Sequence, residues 1–231
     1  IEGEEEAGSP TFRNFLEANR DILAADVIIV ADSANWTTTT PALTTTLRGL
    51  VSQVIEVQTL DHAVHSGMFG GAVPDAMTAT LRLLASLHDD AGDVAVKGLH
   101  STKAADLDFS EQQLREDSGL LDGVSTIGTG SILDRIWAKP SITVIGIDAM
   151  SVPMSSNTLL PSVKAKISMR IAPGQDPQDA LGLLRAHLEE HVPFGARLTY
   201  GEVELGKPFE ANSSGWAKKL AEASLSAAFG N

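Results

Sequence analysis

Residues 163–171 alternate without a break: Val163, Ala165, Ile167, Met169 and Ile171 are apolar, while Lys164, Lys166, Ser168 and Arg170 are polar. Successive side chains of a strand point to opposite faces, so this segment is a strand with one face to cover and one to leave wet. Three further stretches have strand character: Leu47 to Gln58, Ser141 to Ala149, and Ala196 to Leu205, the last with a candidate bulge at Gly201. Two helical patterns separate them. From Asp75 to Leu87, Met77, Leu81 and Leu84 share a face, and Pro74 suits the first turn. After Asp176, a capping residue followed by Pro177, the helix repeats Leu181, Leu184 and Leu188. The order from Leu47 is therefore β-α-β-β-α-β. This predicts an α+β fold: a split, ferredoxin-like sandwich over 47–205 with both helices on one face of an antiparallel sheet. An irregular insertion fills 89–140 and includes a short helix from Glu111 to Glu116.

Residues 1–46 and 206–231 fall outside this unit and read as pieces of another domain that the sandwich interrupts. Ser9 and Pro10 set up a helix carrying Phe12, Phe15 and Leu16 on one face. Asp26-Val27-Ile28-Ile29-Val30-Ala31 is a continuous apolar run, the pattern of a strand buried on both faces. Asp32 follows it, either capping a turn or lining the crevice where open α/β sheets place ligands. Gly206-Lys207-Pro208 breaks the chain before a closing amphipathic helix with Trp216, Leu220, Ala223 and Ala227 on its stripe.

The connector His65-Ser66-Gly67-Met68-Phe69-Gly70-Gly71-Ala72-Val73-Pro74 is unusually rich for a link between strand and helix. Its glycines permit positive φ and close approach of another group. His65 is either a surface histidine or a functional one. Gly128-Thr129-Gly130-Ser131 has no strand before it and reads as a plain loop rather than an anion cradle. His100 defaults to the surface, and 155–161 reads as a turn-rich loop.

The net charge of −13 argues against nucleic acid and anionic membrane partners, which need a basic footprint. With no cysteine, disulfide and thiolate chemistry are excluded. No apolar run approaches membrane-spanning length, and a cytoplasmic location is the expectation.

An ordered set of motifs runs through the chain: Glu5-Glu6-Ala7-Gly8-Ser9, Asp32 after an apolar run, Leu47-Arg48-Gly49, and His65-Ser66-Gly67-Met68-Phe69-Gly70-Gly71 with Met77-Thr78 beyond. Trp137-Ala138-Lys139-Pro140-Ser141 and Ser168-Met169-Arg170 complete it. The set resembles the M20 metallopeptidases, within them the carnosine-dipeptidase branch, over essentially the whole chain.

The resemblance implies a parent dipeptidase with two divalent ions, zinc or manganese, acting on short peptides. It implies Glu5 as general acid/base, Glu6 and Asp32 as ligands of the two metals, and His65 as an oxyanion contact reaching across a homodimer. Arg170 would hold the substrate carboxylate, although its alternation with lysines also fits a solvent-facing role. Thr158, with Asn157 beside it, would add a substrate contact. In many members of the branch an aspartate stands where this chain has Ala63. The family's remaining metal ligands have no counterpart in this sequence. The expectation is thus an internal fragment, the lid or dimerisation domain between slivers of an α/β catalytic domain, inactive alone. The alternatives are a deacylase of N-acyl amino acids and a dimerisation module with no activity of its own.

Overall fold

The structure is a computed structural model that describes residues 3–4, 8–30, 34–211 and 214–230. The chain divides into two units, Thr45–Ala211 and the combination of Ile1–Thr44 with Asn212–Asn231.

The N-terminal part of the second of these holds α1 (Phe12–Ala18) and α2 (Arg20–Leu23). Ser9 does not cap α1. It adopts a left-handed φ of 48°, and the carboxylate of Glu4 instead accepts from the Thr11 N–H at 3.1 Å. Phe12 and Phe15 stack, with ring centroids 6.4 Å apart. The expected buried strand at 26–31 is not formed over its described part. Ile28 and Ile29 are 77% and 87% exposed. A strand buried on both faces needs a ladder on each side, and no described residue pairs with this stretch. Ala31 and Asp32 lie outside the described residues.

In Thr45–Ala211, β1 (Thr46–Leu47) and β2 (Gly49–Gln58) are separated only by Arg48. Then come β3 (Val64–His65), the single turn α3 (Ser66–Phe69), α4 (Ala76–Ala85), α5 (Glu111–Ser118), β4 (Ser141–Asp148), β5 (Thr158–Leu159), β6 (Ser162–Ile171), α6 (Pro177–His191), β7 (Arg197–Gly206) and β8 (Phe209–Glu210). The main sheet is antiparallel throughout, in the order β4-β6-β2-β7. β1 pairs with β8, which carries this unit past the Gly206-Lys207-Pro208 break to Ala211.

Strand β6 buries Val163, Ala165, Ile167, Met169 and Ile171, the face its alternation predicts. Val51, Ile55 and Val57 of β2 lie on the same side, and Ala79, Leu83 and Leu84 of α4 with Ala180, Leu181, Leu184 and Leu188 of α6 close over them in one core. Both helices therefore cover one face of the sheet. Helix α6 begins as predicted, with the Asp176 carboxylate accepting from the N–H groups of Gln178 (2.8 Å) and Asp179 (3.2 Å).

Helix α4 turns a different face to the core than its leucine spacing suggests. Ala76, Ala79, Thr80, Leu83 and Leu84 are buried, whereas Leu81 is 52% exposed and Met77 half-buried. Asp75 caps the helix, so Pro74 lies one position before the cap rather than in the first turn.

The bulge forms where Gly201 suggested, opposite Val54, and shifts the β2–β7 register between Gln53 and Ile55. Gln53 is fully buried and staples it, its Nε2 donating to the carbonyls of Val54 (2.8 Å), Gly201 (3.2 Å) and Glu202 (3.1 Å).

The insertion is pinned by polar contacts. Lys139 pairs with Asp93 at 2.9 Å and Lys103 with Asp134 at 2.8 Å. Within the Gly128–Ser131 loop, the N–H and hydroxyl of Thr129 both donate to the Asp93 carboxylate and the Gly128 N–H to the Ala91 carbonyl. His100 is exposed as expected. The closing helix α7 (Trp216–Phe229) exposes its apolar stripe, with Trp216 62% and Leu220 58% accessible.

Candidate functional site

The glycine-rich connector and the 155–161 segment are far apart in sequence and stitched together in space. The turn-rich loop holds β5, which pairs antiparallel with β3 so that His65 faces Thr158 and Val64 faces Leu159. The Ser66 N–H donates to the Asn157 carbonyl at 2.9 Å, and the Ala76 N–H to the Leu160 carbonyl at 3.1 Å. His65, Asn157 and Thr158 are thereby brought together.

Geometry fixes the state of His65. Its Nδ1 accepts from the Gly67 N–H at 3.0 Å. In the neutral ring the proton must then sit on Nε2, as a donor on an exposed side chain with no partner among the described residues. Gly67 is needed for this. A Cβ there would stand 2.9 Å from His65 Cε1 and 3.1 Å from Nδ1. At Gly70 a Cβ would meet the Ser66 carbonyl oxygen at 2.4 Å, so only glycine lets α3 close.

Arg170 is elsewhere. It sits at the far end of β6, opposite Leu50 on one side and Ser141 on the other. The 158–161 segment enters β6 at its other end, where Pro161 accepts from Thr59 and Leu60. Ser162 and Arg170 are eight residue steps apart along the strand, about 26 Å at ~3.3 Å per step. Arg170 is exposed, with no carboxylate within ion-pairing distance among the described residues.

Beside it lies Arg48, whose Nη1 donates to the Ser141 hydroxyl at 3.0 Å. Burial and then the charge of Arg170 hold the Arg48 guanidinium below its ordinary pKa. Neither guanidinium has an ion-pair partner among the described residues, and a planar fork of this kind suits a carboxylate. Arg48 and Ser141 were visible in the sequence as motif members, but their neighbourhood to Arg170 depends on the register of three strands.

Glu5, Glu6 and Asp32 lie outside the described residues. No three His, Cys, Asp or Glu side chains among the described residues come together in a way that could hold a metal ion. No described helix is long and apolar enough to cross a membrane.

Residues 45–196 match the family model of the M20 peptidase dimerisation domain. The chain belongs to this family. It is 32% identical over 219 residues to the cysteinylglycine-S-conjugate dipeptidase of Corynebacterium striatum, covering 93% of this chain and 48% of that protein. It is 28% identical to the Cys-Gly metallodipeptidase of Saccharomyces cerevisiae, covering 82% and 42%. Among solved structures it superposes on human carnosine dipeptidase 1 with a TM-score of 0.78 at 24% identity, covering 98% of this chain and 51% of that one. These relatives are dipeptidases, and the chain spans about half their length.

Proposed function

We propose that this chain is part of a longer dinuclear metal-dependent dipeptidase, and that residues 47–205 are its dimerisation lid, with the insertion at 89–140. The strand order and the two helices on one face support reading the lid as a ferredoxin-like split sandwich. Residues 1–46 and 206–231 are assigned to the catalytic domain. Glu5 would take the proton of the hydrolytic water and return it to the leaving amine. Glu6 and Asp32 would each ligate one metal, zinc or manganese by the chemistry of their donors.

The observation that carries the reading is the separation within the lid. An extended dipeptide spans about 7 Å. Ser162, where the chain leaves the His65–Thr158 pair and enters β6, stands about 26 Å along that strand from Arg170, so the pair and the Arg170 of the same chain lie toward opposite ends of β6 and do not both reach one such substrate. They serve one site only if two chains contribute. In the homodimer, the His65 Nε2–H of one protomer would donate to the oxyanion in its partner's site, where Arg170 holds the substrate carboxylate.

The sheet offers an edge for this pairing. Strand β4 is an open edge with Val144, Ile145 and Ile147 39%, 56% and 39% exposed, whereas the β7 edge carries Arg197, Glu202 and Glu204. An apolar open edge is a template for a second copy, and β4 is assigned that role.

Assaying the full-length protein against dipeptides and N-acyl amino acids, with zinc or manganese added or chelated, tests the reading. Metal-dependent turnover of dipeptides is the expected result. Turnover of acyl amino acids alone would replace dipeptidase by deacylase.

A further inference from the structure

We propose that Asp75 is a positioning residue that sets the His65–Thr158 pair for its work. This rests on the reading of those two residues as substrate contacts. Asp75 uses both carboxylate oxygens, each in a different direction. Oδ2 accepts from the N–H of Thr78 at 2.9 Å and from its hydroxyl at 3.1 Å, capping α4. Oδ1 accepts from the Leu160 N–H at 3.0 Å, two residues beyond Thr158. The next residue, Ala76, returns a main-chain bond to the Leu160 carbonyl.

The anchor is rigid on one side. Helix α4 is held against the sheet by Ala76, Ala79, Leu83 and Leu84, all buried. The gripped side has little hold of its own, since β5 is a two-residue strand whose ladder is β3 alone. Asn157 and His65 are exposed and Thr158 only half-buried. Packing therefore does little to fix their positions; the Thr59 and Leu60 bonds hold the segment at Pro161, and the hydrogen bonds from 64–76 hold it at Asn157–Leu160. Asp75 supplies the one side-chain bond in that set. It transmits the fixed position of α4 to the strand on which Thr158 sits and against which His65 is paired.

A single atom change separates the two tasks. In Asp75→Asn one oxygen remains to accept from Thr78, and asparagine caps helices as well as aspartate does. The new NH2 then faces the Leu160 N–H, donor against donor, and the grip is lost. Asp75→Asn in the full-length protein should keep its unfolding midpoint and helix content. Peptide-level hydrogen exchange should speed up at Leu160 and at Ser66, whose N–H depends on the Asn157 carbonyl. Catalytic turnover, kcat, should fall by about ten- to a hundred-fold, the scale of a misplacement near 1 Å. His65→Ala measured alongside supplies the reference.

Unchanged exchange at Leu160 would overturn the proposal. So would full kcat for Asp75→Asn when His65→Ala is impaired. If His65→Ala itself turns over normally, the reading of the site has failed and the positioning role falls with it. The exchange data then still report whether the Asp75 grip exists.

Discussion

Replacing Gln53 by methionine should destabilise the lid unit more than most single substitutions. The side chain is fully buried on the helix-covered face of β2, in the middle of the core. Methionine matches its length and removes only the amide. Three carbonyls around the β2–β7 bulge, those of Val54, Gly201 and Glu202, then lose the Gln53 amide as donor. The Arg185 guanidinium, whose Nε donates to Gln53 Oε1 at 2.9 Å, loses its acceptor. It keeps its stacking on the Tyr200 ring, 4.6 Å from the centroid.

A lost hydrogen bond to a charged group costs about 1.5–3 kcal/mol, and a stranded buried carbonyl ~1–3 kcal/mol. Gly201 and Glu202 are exposed residues of the edge strand β7, so water can replace part of what their carbonyls lose and the sum is about 3–4 kcal/mol rather than the full total. Urea unfolding followed by circular dichroism would read this as a lower midpoint at constant slope. Pairing the change with Arg185→Met should recover ~1 kcal/mol or more, because the guanidinium is no longer stranded. A loss below about 1 kcal/mol for Gln53→Met would refute the argument, showing that the bulge holds without its staple.

Two further outcomes follow from the geometry. His187 is buried with its Nε2 2.9 Å from the Ser86 carbonyl, and burial, then the stacked His191 ring, hold its pKa below the ordinary value. The folded state thus binds fewer protons than the unfolded one, and this contribution, intact above about pH 6.5, is lost as pH falls through the lowered pKa; urea midpoints between pH 7.5 and 5.5 should drop for the wild type and less for His187→Gln, and equal slopes would count against it. Ile145→Lys on the β4 edge should convert a dimer to monomers in light scattering while leaving the helix content unchanged, whereas disruption by Val203→Lys on the β7 edge instead would show that the other edge pairs.

Much of the sheet was legible because a two-residue period has a single structural meaning. The alternation through Val163–Ile171 named the buried face residue by residue, and Asp176-Pro177 placed the start of α6. Where burial depends on a partner, the pattern misleads. Val27–Val30 has the composition of a doubly buried strand, yet composition cannot supply the neighbouring strands. Helix α4 misled in its first turns, where the inner stripe is Ala76, Ala79 and Thr80, which carry less hydrophobic signal than the half-buried Met77 and the exposed Leu81; Leu84 was placed correctly. The β3–β5 ladder left no local trace either, since main-chain bonds between residues some ninety positions apart do not depend on side-chain type. The candidate site was therefore legible as a set of residues. That His65, Asn157 and Thr158 cluster while Arg170 stands at the opposite end of β6 came only with the register.

The central claim, that one chain's His65 completes its partner's site, is tested most directly by mixing two inactive full-length variants, His65→Ala and Glu5→Gln. If His65 acts across the dimer, a mixed dimer has one site with an intact Glu5 from the first variant and an intact His65 from the second. Activity should then return as subunits exchange, towards about a quarter of the wild-type value for random reassociation with one competent site per mixed dimer. If His65 serves its own chain, every site in the mixture lacks one group. Activity that stays at the level of the separate variants, with subunit exchange demonstrated, would contradict the account.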